Sequence, residues 1–249
     1  MKTVLSPANE TLDLSQLSEA RTRHVLRHEI KGVDTWLITV PTGDELDLSV
    51  ESERQVLFYL VSGKGTVSAA RRAFALEPKS LFVPKPGTGS SLVADEGAVL
   101  LKIAMDLRPE ERENLPDELY PILVRYEETE KYRDYFKSEK TISRTLVHPF
   151  VLPRFSMGSV ETTGPDRIEP HAHAMLDQLF FSFSDNRCTL LIDGESFDFG
   201  GNTLLHIPLG SDHGVDAQEG DVVNYLWLDF FESQEDQQYL VDVHKPVED

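Results

Sequence analysis

Glu169-Pro-His-Ala-His-Ala-Met-Leu-Asp-Gln178 is followed further along the chain by Pro208-Leu-Gly-Ser-Asp-His213. His171 and His173 are two residues apart, so on a strand both imidazoles point to one face. Gln178 opens the apolar run Leu179–Phe183, and His213 follows a Pro-x-Gly turn after the run Leu204–Ile207. If these strands pair around a barrel, three imidazoles and one amide oxygen converge inside it. Imidazole is a common ligand for Zn, Fe, Ni and Cu, and oxygen donors suit Mn as well.

Outward from this stretch the sequence repeats itself. Gln55-Val-Leu-Phe-Tyr-Leu-Val-Ser-Gly lies above Gln178-Leu-Phe-Phe-Ser-Phe-Ser-Asp-Asn at an offset of 123 positions. The same offset brings Phe74 to Phe197, Leu81 to Leu204, Gly97 to Gly220 and Asp106 to Asp229. Each copy is made of short apolar, β-branched or aromatic runs separated by Gly, Pro, Asn and Asp, the pattern of an all-β sandwich or barrel. Between the copies, Arg108–Lys140 is highly charged. Leu119, Ile122, Leu123 and Tyr126 are helically spaced there, which predicts one or two helices. Residues 9–29 predict another, with Ser15 as its N-cap. His24 and His28 would then lie one turn apart on an exposed face.

The pattern HxHx₄Q followed by PxGxxH resembles the two motifs of the cupin family, and the duplication resembles a bicupin. The resemblance covers residues 35–107 and 145–232. It implies two tandem jelly-roll (double-stranded β-helix) barrels. The expected organisation is an N-terminal segment, partly helical, over 1–34; a degenerate barrel over 35–107; a mostly helical linker over 108–143; a metal-binding barrel over 144–233; and a C-terminal tail over 234–249. By the resemblance, His171, His173, Gln178 and His213 would hold one divalent transition metal, Zn, Mn, Fe or Ni. The family usually has Glu where Gln178 stands. Asp177, one residue earlier, is an alternative ligand if the loop shifts. The 123-residue offset carries these positions onto Leu48, Val50, Gln55 and Ser90. The first copy would therefore hold no metal and would serve packing, dimerisation or one wall of the active site.

Three imidazoles and an amide cancel none of a divalent ion's charge, so such a site is a strong Lewis acid. This favours isomerisation, elimination or hydrolysis of a small anionic sugar or carboxylated metabolite. The ligand set is similar to that of pectin-degradation cupins acting on unsaturated uronates. Ureidoglycine aminohydrolases, also bicupins, fit less well. Two alternatives stay open: an Fe(II)-dependent cupin dioxygenase and a non-catalytic small-ligand-binding or sensing module. Asp212, Asp229 and Glu169 are candidate acids or bases. Arg154, Ser156, Tyr225, Trp227 and His206 are candidate substrate contacts. Tyr225, Trp227 and Asp229 share one face of the last strand, while Asn224, Leu226, Leu228 and Phe230 share the other. Periodicity does not say which set faces inward.

The chain has 249 residues, with 24 Lys and Arg against 43 Asp and Glu, for a net charge of −19. Such an acidic surface disfavours nucleic acid and anionic membranes as partners, leaving a small-molecule substrate and a homodimer as the partner expectations. No secretory signal is visible, and Cys188, the single cysteine, allows no internal disulfide, which fits a reducing cytoplasm.

Overall fold

The β-branched and aromatic runs become strands in the computed structural model of the protein, which describes residues 7–15, 19–134, 137–173 and 175–243. The chain divides into two units, Asp13–Glu128 and the combination of Met1–Leu12 with Thr129–Asp249. β1 (Asn9–Thr11) accordingly belongs to the second unit, where it pairs antiparallel with Thr203–Ile207 and leaves Leu12 buried.

The N-terminal unit contains β2 (Arg21–Val25), β3 (Val33–Val40), β4 (Glu45–Asp47), β5 (Arg54–Ala69), β6 (Arg72–Leu76), β7 (Ser80–Val83), β8 (Ser90–Asp106) and β9 (Ile122–Arg125). The main sheet runs β2-β3-β8-β5-β7-β9, with β4 added to β8 and β6 to β5. Alternate residues Val56, Phe58 and Leu60 of β5 and Leu100 and Ala104 of β8 join Leu48, Val50 and Leu92 in one apolar core. The intervening residues Leu57, Tyr59, Leu101 and Ile103 are also buried, on the other face of the sheet.

In the C-terminal unit come β10 (Lys131–Tyr132), β11 (Ile142–Leu152), β12 (Phe155–Thr163), β13 (Asp166–Ala172), β14 (Leu176–Ser182), β15 (Arg187–Ile192), β16 (Glu195–Gly200), β17 (Thr203–Ile207), β18 (Asp212–Ala217) and β19 (Val222–Phe231). One run of paired strands is β1-β17-β14-β19-β12-β11-β10, and the other is β16-β15-β18-β13. Side chains from both runs, among them Phe180, Leu205 and Tyr225 from the first and Ile168, Leu190 and Val215 from the second, share one core. This two-layered antiparallel arrangement is a jelly roll.

Both helix expectations are corrected. Over 108–140 the only α-helix among the described residues is α1 (Pro109–Glu113), with 3₁₀ turns at Asp117–Leu119 and Tyr126–Glu128. Pro116 and Pro121 interrupt the apparent helical spacing because neither has an N–H to donate. Ile122–Arg125 instead pairs with β7 as an edge strand. Over 9–29 the described residues form β1 and β2, not a helix. Ser15 donates its backbone N–H and its hydroxyl to Asp13 rather than capping a helix. His24 lies on β2, stacked 5.0 Å from Trp36 and 3.2 Å from Asp34, whereas His28 is an exposed residue with φ 64°. The end of the chain contributes α2 (Gln234–Val243) to the C-terminal unit. No described helix is long and apolar enough to cross a membrane.

Asp166 fastens the start of β13. Its carboxylate accepts hydrogen bonds from the hydroxyls of Ser138, Thr141 and Thr162 and from the Arg167 N–H. Partial burial raises its pKa, but these bonds outweigh burial and hold it below the ordinary 3.8. Asp166→Ala is expected to destabilise the C-terminal unit by about 2–3 kcal/mol in denaturant titrations. Because the folded pKa is depressed, the carboxylate's contribution is present above the unfolded value of 3.8 and fades as pH falls through the folded value. The difference between wild type and Asp166→Asn should therefore shrink in acid.

Candidate metal centre

β13 and β18 bring two of the three imidazoles together. They pair antiparallel with His171 directly opposite His213, after a register shift between Ile168 and His171. Pro170, within that shift, has no N–H for the ladder. Gly214 lets the strands approach there, since a Cβ on it would lie 2.5 Å from the Ile168 carbonyl oxygen. His173 follows just beyond the end of β13.

The three ring centroids are 4.9, 5.0 and 5.4 Å apart, and one nitrogen from each ring lies within 4.8 Å of the others. His171 Nδ1 lies 3.0 Å from the Glu169 carbonyl oxygen, and His213 Nδ1 lies 3.1 Å from that of Ser211. A carbonyl only accepts, so each Nδ1 carries the proton and each Nε2 carries the lone pair that a metal requires. His213 is buried, while His171 and His173 are half-buried.

Gln178 lies on the inward face of β14, opposite Asp229 of β19. Its Nε2 donates to Asp229 Oδ1 at 2.7 Å, and Ser156 donates to the other carboxylate oxygen at 3.2 Å. The carboxylate thereby fixes the amide orientation. Gln178 Oε1 is left buried without a hydrogen-bond partner. A buried amide oxygen without a partner is costly unless something electropositive meets it. Gln178 and the three histidines line the same cavity, of about 1040 Å³. This donor set, three neutral imidazoles and one amide oxygen, fits a divalent transition metal.

Burial pushes the Asp229 carboxyl up to about 7, against the pull of its bonds to Gln178 and Ser156 and the charge of Lys137. Phe180, Tyr225 and Trp227 form an aromatic wall, with Phe180 and Tyr225 centroids 4.7 Å apart. Burial raises the Tyr225 hydroxyl far above the usual phenol range and the Cys188 thiol to about 12, so both stay protonated at neutral pH.

The face of β19 left open by periodicity is thereby assigned: Tyr225, Trp227 and Asp229 line the cavity with Ser156. The other candidates are placed elsewhere. Asp177 lies on the opposite face of β14, where its carboxylate is 3.1 Å from His206 Nε2 and accepts from the Leu209 N–H. Neither Asp177 nor His206 lines the cavity. Glu169 supplies a backbone oxygen to His171, while its exposed carboxylate pairs with Arg167 at 3.0 Å. Asp212 is exposed at the start of β18. Arg154 is not on a strand. It sits at φ 51° in the two-residue turn between β11 and β12 and does not line the cavity.

Sequence reasoning missed Lys137 and Tyr132, which reach the cavity from the charged segment read as helical. Lys137 Nζ lies 2.9 Å from Asp134 and donates to Ser143 at 3.1 Å. Burial raises the Tyr132 hydroxyl. A charge-rich segment carries no periodic sign that one of its lysines turns inward.

The 123-residue register is one residue out at the glutamine. Gln178 pairs with Asp229, two residues before Phe180, which pairs with Leu205 and Trp227. In the N-terminal unit, Phe58 pairs with Phe82 and Lys102, and the residue two before it is Val56, opposite Ala104. Gln55 therefore faces away from that core and accepts a 2.6 Å hydrogen bond from the Tyr120 hydroxyl. Leu48, Val50 and Val56 occupy the positions of His171, His173 and Gln178, all within the apolar core. Ser90 donates to the Leu48 carbonyl.

No protein-family model and no curated protein match the chain. Solved structures do. A cupin 2 conserved barrel domain protein from Leptotrichia buccalis is 16% identical, with a TM-score of 0.65 over 92% of this chain and 98% of that one. Oxalate decarboxylase from Lactobacillus farciminis, in a formate complex, is 14% identical, with a TM-score of 0.66 over 92% of this chain and 87% of the other. AerE from Microcystis aeruginosa is 11% identical, with a TM-score of 0.68 over 91% and 98%. The chain has the cupin barrel fold. At these identities the likeness shows the fold alone.

Proposed function

We propose that the C-terminal unit binds one divalent transition metal through His171, His173, His213 and the Gln178 amide oxygen, and that the protein is an enzyme acting on a small anionic metabolite by non-redox chemistry. The observation that carries the reading is the buried, unpartnered Gln178 Oε1 in the cavity where one ring nitrogen from each of three imidazoles gathers. A metal bound there supplies Lewis acidity toward a carboxylate, carbonyl or hydroxyl oxygen. The chain's own groups do the rest. Asp229 holds Gln178 in orientation, the Glu169 and Ser211 carbonyls fix two imidazole tautomers, and Phe180, Tyr225 and Trp227 exclude water from the ligand's body. The apolar Leu48, Val50 and Val56 support a stoichiometry of one metal per chain. The single cysteine and acidic charge suit a cytoplasmic protein whose partner is a small molecule.

Two variants probe the ligand set. Asp229→Leu removes the acceptor that orients Gln178 and should weaken metal affinity roughly 10–100-fold, whereas Asp229→Asn keeps an acceptor and should restore most of it. Competition with a chromophoric chelator measures both. Gln178→Glu places a second carboxylate against Asp229, so the pair shares a proton and the ion's charge is partly cancelled. That variant should keep the metal yet turn over an anionic substrate more slowly.

The reading as a whole is tested by turnover of uronates, hydroxy acids and ureido acids by metal-loaded protein, with and without air. Anaerobic, metal-dependent turnover is the expected result. Oxygen consumption stoichiometric with product would replace it with a dioxygenase, and tight binding without turnover with a binding module.

A further inference from the structure

The cavity is larger than a metal and a two-carbon acid need; about 1040 Å³ is at the upper end of the range for pockets that hold drug-sized ligands. The histidine cluster lines it, and Phe180, Tyr225 and Trp227 offer flat apolar surface. Lys137 also reaches the cavity, and its side chain is 11% exposed. A buried ammonium is costly unless its protons are satisfied. Asp134 and Ser143 take two of its three donors. The third is available to whatever fills the cavity. Asp134 and Ser143 also hold the flexible lysine stem in place, so a ligand meets a positioned cation.

We infer that Lys137 is the second anchor of the ligand. It receives a carboxylate or similar anionic group at one end of a molecule whose other end meets the His171, His173, His213 and Gln178 cluster, and whose body lies against the aromatic wall. The substrate class is thus a doubly anionic, metal-chelating acid with a ring or chain between its ends. This inference rests on the metal reading of the site. Tyr132 and Ser156 also line the cavity and add hydroxyls to it.

Paired probes separate the two ideas. Calorimetry on zinc-loaded protein would compare salicylate with 4-hydroxyisophthalate, and 2-hydroxyhexanoate with 2-hydroxyadipate; each second member adds one carboxylate. The second carboxylate should tighten binding roughly tenfold or more in at least one pair. Lys137→Met should erase that gain, so that the two members of each pair bind with similar affinity. Since Lys137→Met strands Asp134, the double variant Asp134→Asn/Lys137→Met, which leaves no orphan charge, should behave alike. No gain in either pair, or a gain that survives both variants, overturns the role of Lys137 and leaves zinc-dependent binding of the first members intact. First-member binding that is indifferent to zinc overturns the metal reading and this inference with it.

Discussion

Replacing His171 and His173 together by alanine is expected to take metal content from one equivalent per chain to background. Two of four donors are lost, and the remaining pair, His213 and Gln178, cannot enclose an ion; a loss of more than about a hundredfold in affinity is expected. Both imidazoles are half-buried at the cavity, one on the end of β13 and one beyond it, so their truncation leaves no large hole in the core. The variant's apo-form stability should stay within roughly 1 kcal/mol of the wild type. Dialysis against zinc followed by elemental analysis reads the outcome. The N-terminal unit serves as internal control, because Leu48, Val50 and Val56 offer no donor atoms. Retention of a full equivalent in the double variant would mean that the metal sits elsewhere.

Gly158→Ala should be the most damaging single substitution near the cavity. Gly158 lies on β12 between β11 and β19, opposite Trp227. A Cβ added there would be 2.2 Å from the Arg144 carbonyl oxygen and 2.2 Å from the Trp227 ring. Neither is the loose end of a flexible side chain, so strand spacing and indole position must both change. A loss of about 2–4 kcal/mol is expected, as for other overpacked interiors. Trp227 and Trp36 are the two tryptophans. The substitution should therefore change native-state fluorescence as well as the denaturation midpoint. A stability within about 0.5 kcal/mol of the wild type would contradict this packing account.

Much of this architecture was legible because β-branched and aromatic runs between turn residues have few other uses. The histidine cluster was legible because a two-residue spacing on a strand dictates a shared face. What was lost has specific physical causes. The segment around Leu119, Ile122 and Leu123 mimics helical spacing, yet Pro116 and Pro121 break it and β7 offers an edge to pair with. Gln55 matched Gln178 by letter, but the segment from Val50 to Val56 is one residue longer than that from His173 to Gln178, which turns Gln55 outward. Both faces of β19 carry apolar groups, and both are buried, so alternation could not tell the cavity from the sheet's other face. Arg154 lies two residues before Ser156, the spacing of a shared strand face, but a tight turn takes it out of the strand. Lys137 gave no sign at all, since an inward ammonium depends on Asp134 and Ser143, one of them contributed by β11.

X-ray absorption fine structure on the zinc-loaded protein tests the central claim most directly, because it counts the atoms around the ion without reference to any substrate. Three imidazole nitrogens at about 2.0–2.1 Å with one or more oxygen donors at similar distance, and one zinc per chain, is the predicted result. Fewer than three imidazoles, a sulfur neighbour, or two equivalents of zinc would contradict it.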